Sequence, residues 1–312
     1  MFKTSVIIPT YNRPVDLKNC IESLLKQTVR PTEIIVVDDG NLEELPLASQ
    51  CKEANINYIY YKKDKPGLTE SRNRGIKLSH GDIIFFFDDD VILYDSYIEE
   101  TLKVYKEDKT GAIGGVGGMI TNQKPVTMIH GIRRILEMFF LVTGKEGKVL
   151  PSGFCTNFGS TLFPIKKITG VDFLSGGVSS FRKEVFNEFT FDTDTYLNYG
   201  LGEDKDFTYR VSNKYKLIFN PAAKVLHMEA TSMRPEHFKK SKMMIISNYV
   251  FFKRYVKTGP LSWILFYYAV LGYTLSRMII LLMSPSKENQ EKLNGVFHGI
   301  KDVIFKSSLK IN

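Results

Sequence analysis

The chain has 312 residues, room for one large domain or two ordinary ones, and its 43% apolar and 24% charged residues exclude a disordered chain. Three scattered cysteines, Cys20, Cys51 and Cys155, exclude a disulfide framework and follow no metal-ligand spacing, so a reducing compartment is expected. The net charge of +8 is uneven: residues 1–200 carry 24 basic and 26 acidic side chains, residues 201–312 carry 18 and 8, with much of the excess between Arg210 and Lys257. Such a patch suits anionic lipid, a phosphorylated substrate or nucleic acid, or is simply a solvated face.

Met1-Phe2-Lys3-Thr4 leads straight into an apolar pattern, without the charged start and long apolar stretch of a signal peptide. Ser5-Val6-Ile7-Ile8 reads as a short core strand. From Asp16 to Gln27, the residues Leu17, Cys20, Ile21, Leu24 and Leu25 recur at the spacing of one buried helix face. Glu33-Ile34-Ile35-Val36-Val37 is a second strand, ending at Asp38-Asp39-Gly40. A helix over roughly Leu42 to Ala54, a strand over Ile56 to Tyr61 and a helix over Thr69 to Leu78 follow. Ile83-Ile84-Phe85-Phe86-Phe87 is a fourth strand, apolar throughout as a strand buried on both faces must be. This alternation predicts βαβ units and a mostly parallel sheet.

Ligands bind beyond the carboxyl ends of the strands in such sheets. Pro9-Thr10-Tyr11-Asn12, Asp38-Asp39-Gly40 and Asp88-Asp89-Asp90 all lie at that end, so three polar exits should converge on one crevice. Three adjacent acids are too costly to bury without a counter-charge, and hard oxygen ligands favour Mg²⁺ or Mn²⁺. A solvated acidic turn is the bland alternative. Glycines 114, 115, 117 and 118 miss the G-x-G-x-x-G spacing of a dinucleotide site, so a glycine-rich strand or close backbone crossing is expected there.

Residues 129–142 are strongly apolar around Arg133-Arg134 and read as an interfacial or a core helix. Leu261 to Met283 is long enough to span a bilayer, with Arg277 near its far end and Lys253, Arg254 and Lys257 before it. A helix lying in the interface, or a soluble core helix, are the alternatives. A second acidic cluster, Glu203-Asp204-Lys205-Asp206, precedes an apparently helical Thr208 to Ser212. One acidic cluster could hold a cation against a diphosphate while the other deprotonates an attacking hydroxyl.

Five segments stand in the order and spacing of the family 2 glycosyltransferases. They are Ser5-Val6-Ile7-Ile8-Pro9-Thr10-Tyr11-Asn12, Val36-Val37-Asp38-Asp39-Gly40, Ser71-Arg72-Asn73-Arg74-Gly75, Phe87-Asp88-Asp89-Asp90 and Gly202-Glu203-Asp204-Lys205-Asp206-Phe207. The chain resembles that family over roughly residues 4–230. The resemblance implies the GT-A fold, a Rossmann-like sheet flanked by helices, and an inverting, nucleotide-sugar-dependent transferase. It implies a nucleotide-sugar subsite of Pro9, Thr10, Tyr11, Asp39, Arg72, Asp88 and Asp89. Tyr11 would stack on the base, Asp39 accept from a uracil-like N–H, Arg72 lie near base and phosphates, and Asp88 lie near the ribose. Asp89 shapes the turn. Asp90 with Asp88 resembles the D-x-D metal site for Mn²⁺ or Mg²⁺, and His227 resembles a histidine that completes the shell in some relatives, although a lone histidine after an apolar stretch is often structural. Asp204 resembles the catalytic base and Glu203 its partner, with the two roles open to exchange. Ser175-Gly176-Gly177 resembles the loop under the donor sugar; an ordinary tight turn is the alternative. Asn41 replaces a common Ser, and no Gln-x-x-Arg-Trp motif of processive members follows, so a single transfer is expected.

The expected organisation is a catalytic domain over 1–240, with a nucleotide-binding half (1–120) and an acceptor-binding half (121–240), then a basic, hydrophobic, membrane-associated helical tail (241–312). The expected activity moves one sugar from a nucleoside diphosphate, preferentially UDP, to a hydroxyl of a lipid-linked or cell-surface glycan at the cytoplasmic face of the cell membrane. The alternatives are a nucleotidyltransferase, which would need a phosphate-gripping lysine- and glycine-rich loop, and a non-catalytic nucleotide-sugar or glycan-binding scaffold. No nucleic-acid partner is expected, because no groove-reading motif accompanies the basic patch.

Overall fold

Strand β1 (Thr4–Thr10) is buried along its whole length, as is β2 (Glu33–Asp38). The computed structural model describes every residue except 1, 43–46, 124–127, 160–162, 229–235, 307–308 and 312, and except the side chains of 128–130. Between the two strands, α1 (Pro14–Leu25) starts with Pro at its first turn, where a missing N–H costs nothing, and buries Leu17, Cys20, Ile21 and Leu24. Next come α2 (Ala48–Glu53), β3 (Asn57–Lys62), α3 (Leu68–Leu78) and β4 (Ile83–Phe87). Part of the helix expected from Leu42 falls on 43–46, outside the described residues. Then follow β5 (Val91–Leu93), α4 (Tyr97–Glu107), β6 (Ile113–Ile120), α5 (Met128–Phe139), β7 (Thr169–Val171), β8 (Val178–Arg182), α6 (Glu203–Ser212), β9 (Lys216–His227), α7 (His237–Phe251), α8 (Pro260–Met283) and α9 (Lys287–Phe305).

The strands form one sheet in the order β3-β2-β1-β4-β8-β6-β9-β5, with β7 beside β9. The block β3-β2-β1-β4 is parallel, as the alternation predicted. Beyond it the sheet is mixed rather than mostly parallel. Strand β8 runs antiparallel to β4 and β6, β6 and β9 are parallel, and β5 and β7 run antiparallel to β9. The glycine-rich run is strand β6, so the strand reading of those glycines holds.

Two registers set up the site. Ile7 pairs with Phe86 and Thr10 with Asp38, so the exits of β1, β2 and β4 lie level at one edge. Phe87 pairs with Val178 and Val91 with His227, so the start of β8 and the end of β9 lie at the same edge. Phe85, Phe86 and Phe87 are essentially inaccessible to solvent. Burying each stabilises the sheet by about 1.5–3 kcal/mol.

The chain divides into two compact units that interleave along the sequence: residues 1–123, 165–193 and 203–230 in one, and 124–164, 194–202 and 231–312 in the other. The sequence suggested consecutive parts with boundaries near 120 and 240. The difference arises because α5 and the segment around Phe154 pack with the C-terminal helices. The second unit is helical, with Phe154, Tyr196, Met243, Ile245, Phe252, Phe266, Tyr273 and Val296 in its core. Of the segment 129–142, Glu137 and Val142 are buried.

Candidate active site

The three exits converge in the first unit. Asp88 follows β4 and lies opposite the β8 approach, its backbone N–H donating to the Gly177 carbonyl at 3.2 Å. A Cβ on Gly177 would fall 2.1 Å from Asp88 Oδ2, and one on Gly176 would fall 2.8 Å from the Arg72 guanidinium. The two glycines therefore let the loop lie directly against a carboxylate and a guanidinium, which explains their residue type better than a generic turn does.

Arg72, on α3, is 2% exposed and joins the two acidic clusters. It donates from NH1 to Glu203 Oε1 at 2.9 Å and from NH2 to Asp88 Oδ1 at 3.4 Å, and its guanidinium lies 5.3 Å from the centre of the Phe191 ring. A guanidinium so deeply buried persists because the carboxylates around it hold it charged. Its pKa is raised: burial opposes the charge, but Glu203, Asp88 and Asp204 outweigh that.

Glu203 and Asp204 open α6, where the helix dipole favours acids. The helix starts at Glu203, earlier than the sequence suggested. Burial pushes the Glu203 carboxyl upward, the Asp204 charge adds to this, and Arg72 opposes it. Asp204 is oriented differently. Its Oδ2 accepts from the Gly176 N–H at 3.0 Å and its Oδ1 from the Lys205 N–H at 2.7 Å.

Asp89 and Asp90 follow Asp88 into the turn before β5. Asp89 is buried, accepting from Thr10 Oγ1 at 2.8 Å and from Arg13 at 3.1 Å. Burial pushes its carboxyl up to about 6, while Thr10 and Arg13 pull it back and Asp90 adds to the rise. These bonds tie the β4 exit to the β1 exit, the turn-shaping task expected of it. Asp90 Oδ1 lies 3.0 Å from His227 Nε2, and Asp90 Oδ2 lies 3.9 Å from Arg13. The β5–β9 ladder continues through the Met228 N–H, which donates to the Asp90 carbonyl at 2.8 Å, so the histidine is brought to Asp90 by strand register.

Among the described residues, Asp88, Asp90 and His227 each offer a ligand atom within 4.8 Å of the others. Two carboxylates and one imidazole, open on one side through the partly exposed Asp88, fit a divalent cation that keeps positions for water or other oxygen ligands.

The side to which the resemblance assigns the nucleotide is enclosed. Pro9 and Thr10 are buried and Tyr11 is half-buried at the β1 exit. Asp39 has a side chain only 1% exposed, with Oδ1 3.0 Å from Lys63 Nζ and accepting also from Ser71 Oγ, and Oδ2 accepting from the Gly67 N–H at 3.0 Å. A nucleobase N–H would have to reach a carboxylate that is almost wholly enclosed. Lys63 and Arg13 were not singled out from the sequence. Both follow strand exits at the crevice edge, a positional signal that a lysine or arginine outside the motifs did not raise.

The model for the family "Glycosyl transferase family 2" matches residues 5–189. The chain is 33% identical over 124 residues to the poly(ribitol-phosphate) beta-N-acetylglucosaminyltransferase TarP of Staphylococcus aureus, covering 38% of each protein. It spans less than half the length of the curated relatives it matches. Among solved structures it resembles the mannosyltransferase PcManGT of Pyrobaculum calidifontis in complex with GDP-Man and Mn²⁺ (TM-score 0.58, 14% identity, 98% of this chain and 88% of that one). It also resembles residues 1–349 of TarS from S. aureus in complex with UDP-GlcNAc (TM-score 0.54, 16% identity, 96% and 81%). These likenesses carry the GT-A glycosyltransferase fold. With more than half its length matched by the family model, the chain belongs to glycosyl transferase family 2.

Proposed function

We propose that the protein is an inverting hexosyltransferase that moves one sugar from a nucleoside-diphosphate donor, preferentially UDP-linked, to a hydroxyl of a lipid-linked or cell-surface glycan. The observation that carries this reading is the single network in which Arg72 bridges Asp88 beside the candidate metal ligands to Glu203 beside Asp204. Asp88, Asp90 and His227 would hold Mn²⁺ or Mg²⁺, which when bound supplies positive charge to the diphosphate leaving group. Tyr11 offers a stacking face, and Pro9, Thr10 and Asp39, braced by Asp89, Lys63 and Ser71, form the wall of the nucleotide subsite.

In this reading Asp204 is the base. Glu203 engages Arg72, whereas Asp204 is held by two backbone N–H groups that fix its direction. It removes the acceptor hydroxyl proton as that oxygen attacks the anomeric carbon. The carbon–oxygen bond to the diphosphate breaks on the opposite face, and the configuration inverts. The known ligands of the two structural neighbours, GDP-Man with Mn²⁺ and UDP-GlcNAc, support a nucleotide-sugar donor of this class. The basic C-terminal region and α8 support work at the cytoplasmic face of the cell membrane.

The test is a panel of UDP- and GDP-sugars with Mn²⁺, read by thermal shift and by release of nucleoside diphosphate. Stabilisation by one donor, with its slow hydrolysis, is expected. Stabilisation by no donor, or release of pyrophosphate from nucleoside triphosphates instead, would overturn the reading.

A further inference from the structure

The packing of α5 against α8 is inside out. On α5 the charged residues turn inward: Glu137 is 3% exposed, lies 3.5 Å from Arg133 and 3.2 Å from Arg134, and accepts from Ser276 of α8 at 3.2 Å. Arg277 of α8 approaches the same cluster, and burial together with Arg277 and Arg134 lowers the Arg133 pKa. The apolar residues turn outward. Ile135 and Phe139 are 63% and 69% exposed, and along α8 Leu261, Ile264, Leu271 and Leu282 are all more than half exposed. These four lie at helical spacing on one face. The two helices adjoin: the Phe140 and Tyr268 rings lie 4.8 Å apart, and Tyr268 donates to the Phe139 carbonyl.

A surface of this polarity is costly in water and is the arrangement expected of helices facing lipid. We propose that the outer faces of α5 and α8 form a monotopic docking surface that lies in the plane of an anionic lipid bilayer. This rests on the membrane part of the proposed function and specifies its mode. Two observations favour lipid over a second copy of the chain. Arg133 and Arg134 pair with Glu137 and Arg277 acts on Arg133, so the two helices that carry the apolar face also carry an excess of guanidinium charge suited to anionic headgroups. Lys253 and Lys257 are exposed just before α8, with Lys257 Nζ 5.6 Å from the ring centre of Trp263, an aromatic–basic pair typical of the headgroup layer.

The same packing argues against a transmembrane span. The opposite face of α8, with Phe266, Ala269, Tyr273 and Ser276, is buried in the helical unit. Its neighbour α9 carries Glu291, Lys292, Lys301 and Asp302, which could not follow it into hydrocarbon.

The test is sedimentation of the full chain with phosphatidylcholine vesicles with and without phosphatidylglycerol, for the wild type and for the double variant Ile135→Asp/Leu271→Asp. The wild type should sediment with the anionic vesicles, be released by alkaline carbonate, and bind at least about tenfold more tightly than the variant. Nucleotide-sugar stabilisation of the variant, measured without vesicles, should be unchanged, which separates failure of docking from failure of the transferase reading. Equal binding by the variant, no binding by the wild type, or resistance to carbonate would overturn the proposal. So would a wild-type dimer that the variant converts to monomer without loss of vesicle binding.

Discussion

Each unit of this chain buries a group of charged side chains, and the two groups have opposite excess charge. In the first unit Asp88, Glu203 and Asp204 gather around Arg72, with Asp90 beside His227. In the second, Arg133 and Arg134 pair with Glu137, and the charge of Arg277 acts on Arg133. The excess carboxylate charge fits a site completed by a cation and opens at the sheet edge where ligands bind. The excess guanidinium charge fits anionic headgroups and is covered by exposed apolar side chains. Buried charge alone thus says little; in the proposed reading its sign and what lies over it separate a site of chemistry from a site of attachment.

The largest effect should come from the base. Asp204→Asn should lower transfer by about 10²–10⁴-fold while leaving donor binding by thermal shift near that of the wild type. Comparable losses for Glu203→Gln with activity retained in Asp204→Asn would reverse the two roles. The comparison sharpens further through its cations. Arg72→Met removes the guanidinium that two acids share and should destabilise the first unit by about 3–5 kcal/mol, whereas Arg133→Met leaves Arg134 on Glu137 and should cost about 1 kcal/mol or less. Urea midpoints with limited proteolysis of each unit would report both, and equal costs would break the distinction.

Glu203 provides the pH test. Its pKa is raised in the folded protein, so its ionised form, the one that pairs with Arg72, is lost as pH falls through a range above that of an ordinary carboxylate. Transfer should therefore decline on the acid side, and Glu203→Gln, neutral at every pH, should be slow throughout and lack that limb. The linked stability has the opposite sense: a raised carboxylate pKa means the fold binds the proton more tightly than the unfolded chain, so stability from this group falls as pH rises through the folded pKa. The smallest expected effect is steric. Gly177→Ala places a methyl group 2.1 Å from Asp88 Oδ2 and should weaken Mn²⁺ binding about tenfold, whereas Gly170→Ala, with no heavy atom within 4 Å of the added carbon, should change nothing measurable.

Much of this was legible in the residues. The strands β1 and β2 sit between parallel neighbours and β4 between parallel β1 and antiparallel β8; all three are buried throughout and so leave apolar runs, and α1 shows its buried face at plain helical spacing. Their acidic and aromatic exits mark the crevice in the sequence itself. Strands β8, Val-Ser-Ser-Phe-Arg, and β9, interrupted by Asn220-Pro221, carry polar residues that blur the strand pattern, and their pairing with distant strands holds them in the sheet. The bridging role of Arg72, the enclosure of Asp39 by Lys63 and Ser71, and the contact of Gly177 with Asp88 join residues far apart in the chain, and spacing carries no trace of them. The inward turn of Glu137 was equally hidden, because an Arg-Arg-Ile-Leu-Glu run reads the same whichever face meets solvent.

The most direct test of the account is a calorimetric titration of Mn²⁺ into the protein with UDP present, comparing the wild type with Asp90→Asn. The account predicts a single saturable site in the wild type that is lost or weakened by at least about a hundredfold in the variant, with an unchanged melting temperature in the absence of metal. Equal Mn²⁺ affinity in the two proteins would contradict it.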